Sequence, residues 1–170
     1  MRVAVLLLVL FLGGRAPLAG QTTGTGRASP SLDAWRASLA AASDTMALLR
    51  LEQEKIVAER PDYGPAICVL GLIDAALGKK ELALEEGRHA IELMPEEKDA
   101  LNGQKMRMYF CIIAAWVGEK DVALQMLAAE GSKPGWAFIA NYGDLKLHPF
   151  WDPLRGDPRF EKIVSSLAPK

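Results

Sequence analysis

GKKELAL (residues 78–84) and GEKDVAL (residues 118–124) are near copies of each other within one short chain. Each opens on a glycine, passes through charged residues and enters a run with helical spacing. Glycine suits a helix stop because it takes the left-handed backbone conformation that closes the last turn at little cost. A backward step of 34 from Gly78 reaches Asp44, and the Ser43-Asp44 pair interrupts two helical runs, DAWRASLAAA (33–42) and TMALLRLEQEKIVAER (45–60). The same step links Pro95 to Pro61, each at the same offset beyond its turn. The spacing predicts a helix–turn–helix unit of period 34, ended by a proline that cannot continue the helix. The forward step to Gly118 is 40, so about six extra residues, near 95–103, are expected to lengthen the connection before the third unit. The units are expected at 32–62, 64–97 and 104–137, with a tail at 138–170.

The apolar pattern agrees with a helical repeat. AICVLGLIDAAL (66–77) has Asp74 as its one charge, and MRMYFCIIAAWV (106–117) has Arg107. A helix apolar all round is buried on most sides. The partner run 81–94 is amphipathic: Ala83, Gly87, Ala90, Ile91 and Met94 form one stripe, and Glu85, Glu86, Arg88 and His89 take the wet face. No unit covers its own apolar face, so neighbouring units must. The fold class expected is all-α, a short right-handed solenoid of about three helix pairs.

The ends carry different signals. VAVLLLVLFL (3–12) follows Arg2 and precedes APLAG (16–20), the pattern of a secretory signal. At 1.5 Å rise, ten residues span about half of a bilayer core, which argues against a membrane span. The expectation is a cleaved signal at 1–20 and a periplasmic or secreted chain, the alternatives being an uncleaved anchor or a misplaced start codon. No Cys follows the small residues, so no thiol is there for lipid attachment. QTTGTGRASPS (21–31) reads as a flexible tether. Loss of 1–20 removes Arg2 and Arg15 and leaves 18 Lys and Arg against 21 Asp and Glu, a formal charge of −3. Without a basic stripe or polybasic run, nucleic acid and a membrane surface are poor partners. Cys68 and Cys111 lie in apolar stretches and read as two buried thiols, although an exported chain permits a disulfide.

Leu70, Gly71, Ala83, Ala90 and Pro95 fall at the small and apolar signature positions of the tetratricopeptide repeat, which residues 64–98 resemble. Departures are Asp74, where a Tyr is usual, and Gly87, where a large aromatic is usual. The third unit keeps Gly118 and Ala123 but has Cys111 for the small Gly and Pro134 one residue out of register; the first keeps little beyond Pro61. YGDLKLHPFWDPLRGDPRFEKIVSSLAPK (142–170) resembles the closing segment of tetratricopeptide regions in bacterial Ser/Thr protein kinases and in cyclase-like or TolB-like signalling proteins. EGRHAIELMPEEKDALNG (86–103) and AWVGEKDVAL (115–124) are similar to the same region. The resemblance implies the end of a repeat array. It brings no kinase activity, since glycine-rich nucleotide loop, catalytic Asp loop and metal-binding Asp motif are all missing from the sequence.

Residues that look chemical have structural readings. WDPLRGDPRF (151–160) reads as a cap: Asp157-Pro158 is an N-cap followed by Pro at the first helical position, and Asp152-Pro153 repeats that grammar, with Trp151 and Phe160 as apolar anchors. Phe160, Ile163, Val164 and Leu167 then form the buried stripe of a terminal helix. Glu86 and His89 stand i, i+3, but the second pair that a carboxylate metal site needs is missing. His148 precedes Pro149 without an identifiable nucleophile nearby. Asp74 is expected to find Arg88, Arg107 or a backbone N–H, or else to anchor a groove edge.

In tetratricopeptide arrays the first helix of each unit lines the concave face. Carried over, that resemblance names Cys68, Leu72, Ala75 and Ala76 from the second unit and Met108, Ile112, Ala115 and Trp116 from the third as candidate groove residues. All are apolar. Either an apolar partner segment enters such a groove, or the chain's own tail, 135–151, fills it. The function expected is a non-enzymatic protein-interaction module in the bacterial cell envelope, without cofactor or metal. The alternative is a stand-alone regulatory or sensory domain of a signalling kinase or cyclase-like protein; a hydrolase hidden in the tail is the third.

Overall fold

The computed structural model describes residues 43–133, 135–136 and 139–169. The expected export signal, tether and residues 32–42 of the first unit lie outside them. Every regular element among the described residues is helical: α1 (Ser43–Glu59), α2 (Gly64–Ala76), α3 (Lys80–Leu93), α4 (Ala100–Trp116), α5 (Lys120–Glu130), α6 (Tyr142–Leu147), a 3-10 helix (Pro149–Leu154) and α7 (Pro158–Ser166). None is long and apolar enough to cross a membrane.

The two sequence copies form the same bend. After α2, Lys79 N–H donates to the Asp74 carbonyl at 2.8 Å and Gly78 N–H to that of Ala75 at 3.1 Å. After α4, Glu119 N–H donates to Ala114 at 2.8 Å and Gly118 N–H to Ala115 at 3.3 Å. This pair of bonds, six-to-one and five-to-two, is the Schellman closure, and it consumes carbonyls the helix end would otherwise orphan. Gly78 has φ +76° and Gly118 φ +88°. An added Cβ would meet nothing within 4 Å at either, so backbone sign, not crowding, calls for glycine. Each bend then enters a helix whose buried alanine, Ala83 or Ala123, donates N–H to Lys79 or Glu119 respectively. The bends are neighbours: Lys80 Nζ lies 2.5 Å from Glu119 Oε1.

Helix α2 packs on α3 and α4 on α5, with α2 and α3 both also against α4 and α1 against α2. In α2, every residue but Pro65 and Ala76 is buried, as an all-apolar helix requires. The main core runs from Leu72, Ala83 and Leu84 through Phe110–Ala115 of α4 to Leu124 and Leu127, and on to Trp151, Leu154, Phe160 and Val164 of the tail. Burying side chains of this size stabilises by roughly 1.5–3 kcal/mol each. Gly87 explains its own departure from the repeat pattern. A Cβ there would sit 2.6 Å from Phe110 Cδ2, so a ring from α4 fills the space an aromatic at 87 would claim.

Two expectations about the frame are corrected. The repeat frame puts the six extra residues in the connection between the second and third units; the structure puts four of them in α4. That helix opens at Ala100 and bends at Gly118, whereas α2 opens at Gly64 and bends at Gly78. Asp99 is the reason: its carboxylate accepts from Asn102 N–H at 2.9 Å and caps a helix four residues earlier than the repeat frame expects. Ser43 and Asp44, expected at a bend, are the first two residues of α1.

Candidate functional site

The candidate groove residues do not form one open surface. Cys68, Leu72, Ala75, Ile112 and Ala115 are buried core residues; Ala76, Met108 and Trp116 are half-buried. Cys68 packs with Ile67, Ala90 and Met106, and Ala76 lies against Met46, Val69 and Ile73. The tail meets Trp116: its Nε1 donates to the Phe150 carbonyl at 3.1 Å, and the two rings stand edge-on at 5.2 Å. Cys68 and Cys111 are unpaired, and burial pushes Cys68 up to about 12. Neither thiol is a ready nucleophile.

The signature residues sit where helices touch. Leu70, Ala83, Ala90 and Ala123 are buried, Gly71 packs against Ala83 and Glu86, and α3 ends at Leu93 just before Pro95. In the tail, Asp157 accepts from Arg159 N–H at 2.9 Å with Pro158 opening α7, as its sequence predicts. Asp152-Pro153 is different. Both lie inside the 3-10 helix, whose cap is His148: its Nδ1 accepts from Phe150 N–H at 3.3 Å, with Pro149 at the first helical position. Asp152 instead takes Arg155 Nε at 2.6 Å, while Arg155 donates to the carbonyls of Lys146 and His148. Burial holds the His148 imidazole below its ordinary value, so a neutral ring whose Nδ1 accepts a hydrogen bond from a backbone N–H fits the position. Trp151 and Phe160 are both buried, ring centroids 6.4 Å apart.

Asp74 is fully buried, and it is paired, but not with the residues its sequence neighbourhood suggested. Arg50 on α1 grips it with two bonds, Nε to Oδ1 at 2.5 Å and Nη2 to Oδ2 at 2.9 Å, and Lys79 Nζ stands at 3.4 Å. Arg50 also bonds Glu54. Arg88 lies over the Phe110 ring, and Arg107 pairs with Glu96 and Glu130. Glu86, expected on the wet face, is half-buried: its Oε2 is closed to solvent and has no hydrogen-bond partner. Burial, with Asp74 close by, pushes its carboxyl up to about 7.

Sequence reasoning also missed a second polar set. Glu96 and the buried Glu130 face Arg107 and Lys133, with Lys133 Nζ 2.7 Å from Glu96 and 2.9 Å from Glu130. These ties fasten the connection before α4 to the end of α5. Among the described residues, no three His, Cys, Asp or Glu side chains are placed to hold a metal ion. A cleft of about 800 Å³ opens between α5 and α7, floored by Leu124, Leu127, Ile163 and Leu167. Arg159, tied to Asp121, and Lys162 stand on its α7 lip. Comparison of the chain with family models, with curated proteins and with solved structures returned no significant match.

Proposed function

We propose that the chain is a non-enzymatic protein-interaction module of tetratricopeptide type. In this reading the helix pairs α2–α3 and α4–α5 are consecutive units of a short right-handed solenoid, α1 belongs to a first unit, and the tail is its C-terminal cap. The observation that carries it is the repetition of one bend, down to its two hydrogen bonds, at Gly78 and Gly118. Solenoids require a terminal element with one apolar face, and α7 buries Phe160 and Val164 while exposing Glu161, Lys162 and Ser165. The leader-like N-terminus supports a place in the cell envelope.

The tail contact at Trp116 favours a self-filled inner surface, which leaves partner recognition to the outer one. The cleft between α5 and α7 suits an amphipathic segment of another protein, with apolar side chains for its floor and an acidic one for Lys162. The test is capture of cross-linked partners by the tagged full chain in envelope fractions, against an Ala128→Glu variant. Ala128 is exposed and lines the cleft, so the variant should keep its melting temperature. A defined protein partner retained by the wild type and lost by the variant is expected. Capture of nothing above the untagged control would contradict the reading.

A further inference from the structure

We propose that the cleft between α5 and α7 takes helix α1 of a second copy of this chain, so that copies join head to tail. The inference rests on the reading of that cleft as the partner surface and names its occupant. The cleft suits a helix with an apolar stripe and an acidic residue beside it. Leu124, Leu127, Ile163 and Leu167 floor it, and Lys162 stands exposed on its lip. Arg159, on the same lip, already spends its charge on Asp121 and Asp157.

The chain carries such a stripe. Leu48 is 63% exposed and Leu51 53%. Among the exposed large apolar side chains of the described residues they are the pair that shares a helix; Leu82, Leu101 and Leu147 stand singly. Their spacing, i and i+3, sets them side by side, and Glu52, Lys55 and Glu59 are exposed along the same side. The docking of α1 on α2 uses the other side: Met46, Leu49 and Val57 pack there, Gln53 Nε2 donates to the Ala66 carbonyl at 2.8 Å, and Arg50 holds Asp74. The two leucines are therefore not needed for the fold of the described helices. Glu52 bonds Lys55 at 2.8 Å, an exposed pair of little worth that can be exchanged for another.

Charge selects α1 over the chain's own N-terminal segment as the occupant. Residues 1–42 hold Arg2, Arg15, Arg27 and Arg36 against one acid, Asp33, and suit the Lys162 lip poorly. Helix α1 holds Asp44, Glu52, Glu54 and Glu59 against Arg50 and Lys55, and Glu52 stands next to Leu51. Surface and complement lie on different elements, since α1 packs against α2 and α7 against α5 and α6. The contact is heterologous, and it repeats from copy to copy. One helix face in one cleft is smaller than the ~1,600 Å² of a standard interface, so the association is weak and rises with concentration.

The test is sedimentation equilibrium of the full chain from micromolar to millimolar concentration, for wild type, Leu48→Glu and Ala128→Glu. The wild type should grow beyond a dimer, and each variant should associate at least about tenfold more weakly, because each puts a charge into the apolar contact. An equimolar mixture of the two variants should form a dimer and nothing larger: Leu48→Glu keeps a working cleft and Ala128→Glu a working α1. A mixture that stays monomeric, or association that survives either variant, overturns the proposal. A monomeric wild type with a Leu48→Glu chain that melts at lower temperature means that the chain's own residues 32–42 cover the leucines, and overturns it too. Either result leaves the cleft as a surface for a different protein, which the capture experiment decides separately. If Leu48→Glu does not fold, the charge pair decides. Glu52→Lys or Lys162→Glu alone should weaken association about threefold, and both in one chain should restore it. Failure of the double variant to restore association overturns the contact equally.

Discussion

Arg50→Ala is expected to lower stability by roughly 3–5 kcal/mol, the cost of stranding a buried charge by removing one partner. The reason is Asp74. It has no solvent exposure, its two oxygens are held by Arg50, and the remaining cation, Lys79, stands 3.4 Å away on an exposed side chain. Water cannot replace the guanidinium without opening the contact between α1 and α2. The second arm of the experiment separates this from a generic core lesion. Arg50→Met with Asp74→Leu removes both charges, and such double replacement is often neutral or stabilising. Urea unfolding at pH 7 with unchanged slope measures both. A single mutant that costs under about 1 kcal/mol, as an exposed pair would, means the pair is not buried in solution.

Phe160→Ala should cost about as much, roughly 3–5 kcal/mol, since a fully enclosed ring leaves a cavity as well as losing its transfer free energy. Phe160 is 1% exposed and stands with Trp151, Leu154 and Val164 in the same core as Ile112, Ala115 and Leu127. The prediction therefore concerns the whole helical array and not the tail alone. One cooperative transition at a lower midpoint is the expected result in urea. Early melting of the tail followed by an unchanged main transition would show that α7 is an appendage.

The helical character of the chain, its bends at residues 78 and 118 and the cap of α7 were legible because their punctuation is chemical. Gly78 and Gly118 are needed by backbone sign, Asp157-Pro158 by capping, and an α2 apolar but for Asp74 by burial on most sides; each reading rests on a local rule. The start of α4 was missed because Asp99 can equally well sit in a turn, and only its bond to Asn102 makes it a cap. The Asp152-Pro153 pair failed for the matching reason: with His148-Pro149 just upstream, the earlier pair takes the cap and Asp152 is left for Arg155. Arg50 was within reach. Met46, Arg50, Gln53 and Val57 fall at i, i+4, i+7 and i+11, a stripe that puts an arginine on the buried face of α1 opposite the apolar helix carrying Asp74. The half-buried place of Glu86 was not legible. Periodicity sets it beside Glu85 on a polar face, and the closing off of its Oε2 comes from tertiary packing that no local rule gives.

The central claim is that residues 78 and 118 mark equivalent bends of neighbouring helix pairs. It is tested most directly by zero-length carbodiimide cross-linking of the native chain, read by mass spectrometry. Lys80 Nζ and Glu119 Oε1, one on each bend, are 2.5 Å apart, so an amide between Lys80 and Glu119 is the predicted product. Recovery of the Lys133–Glu96 amide, from a pair at 2.7 Å, without any Lys80–Glu119 product would contradict the account.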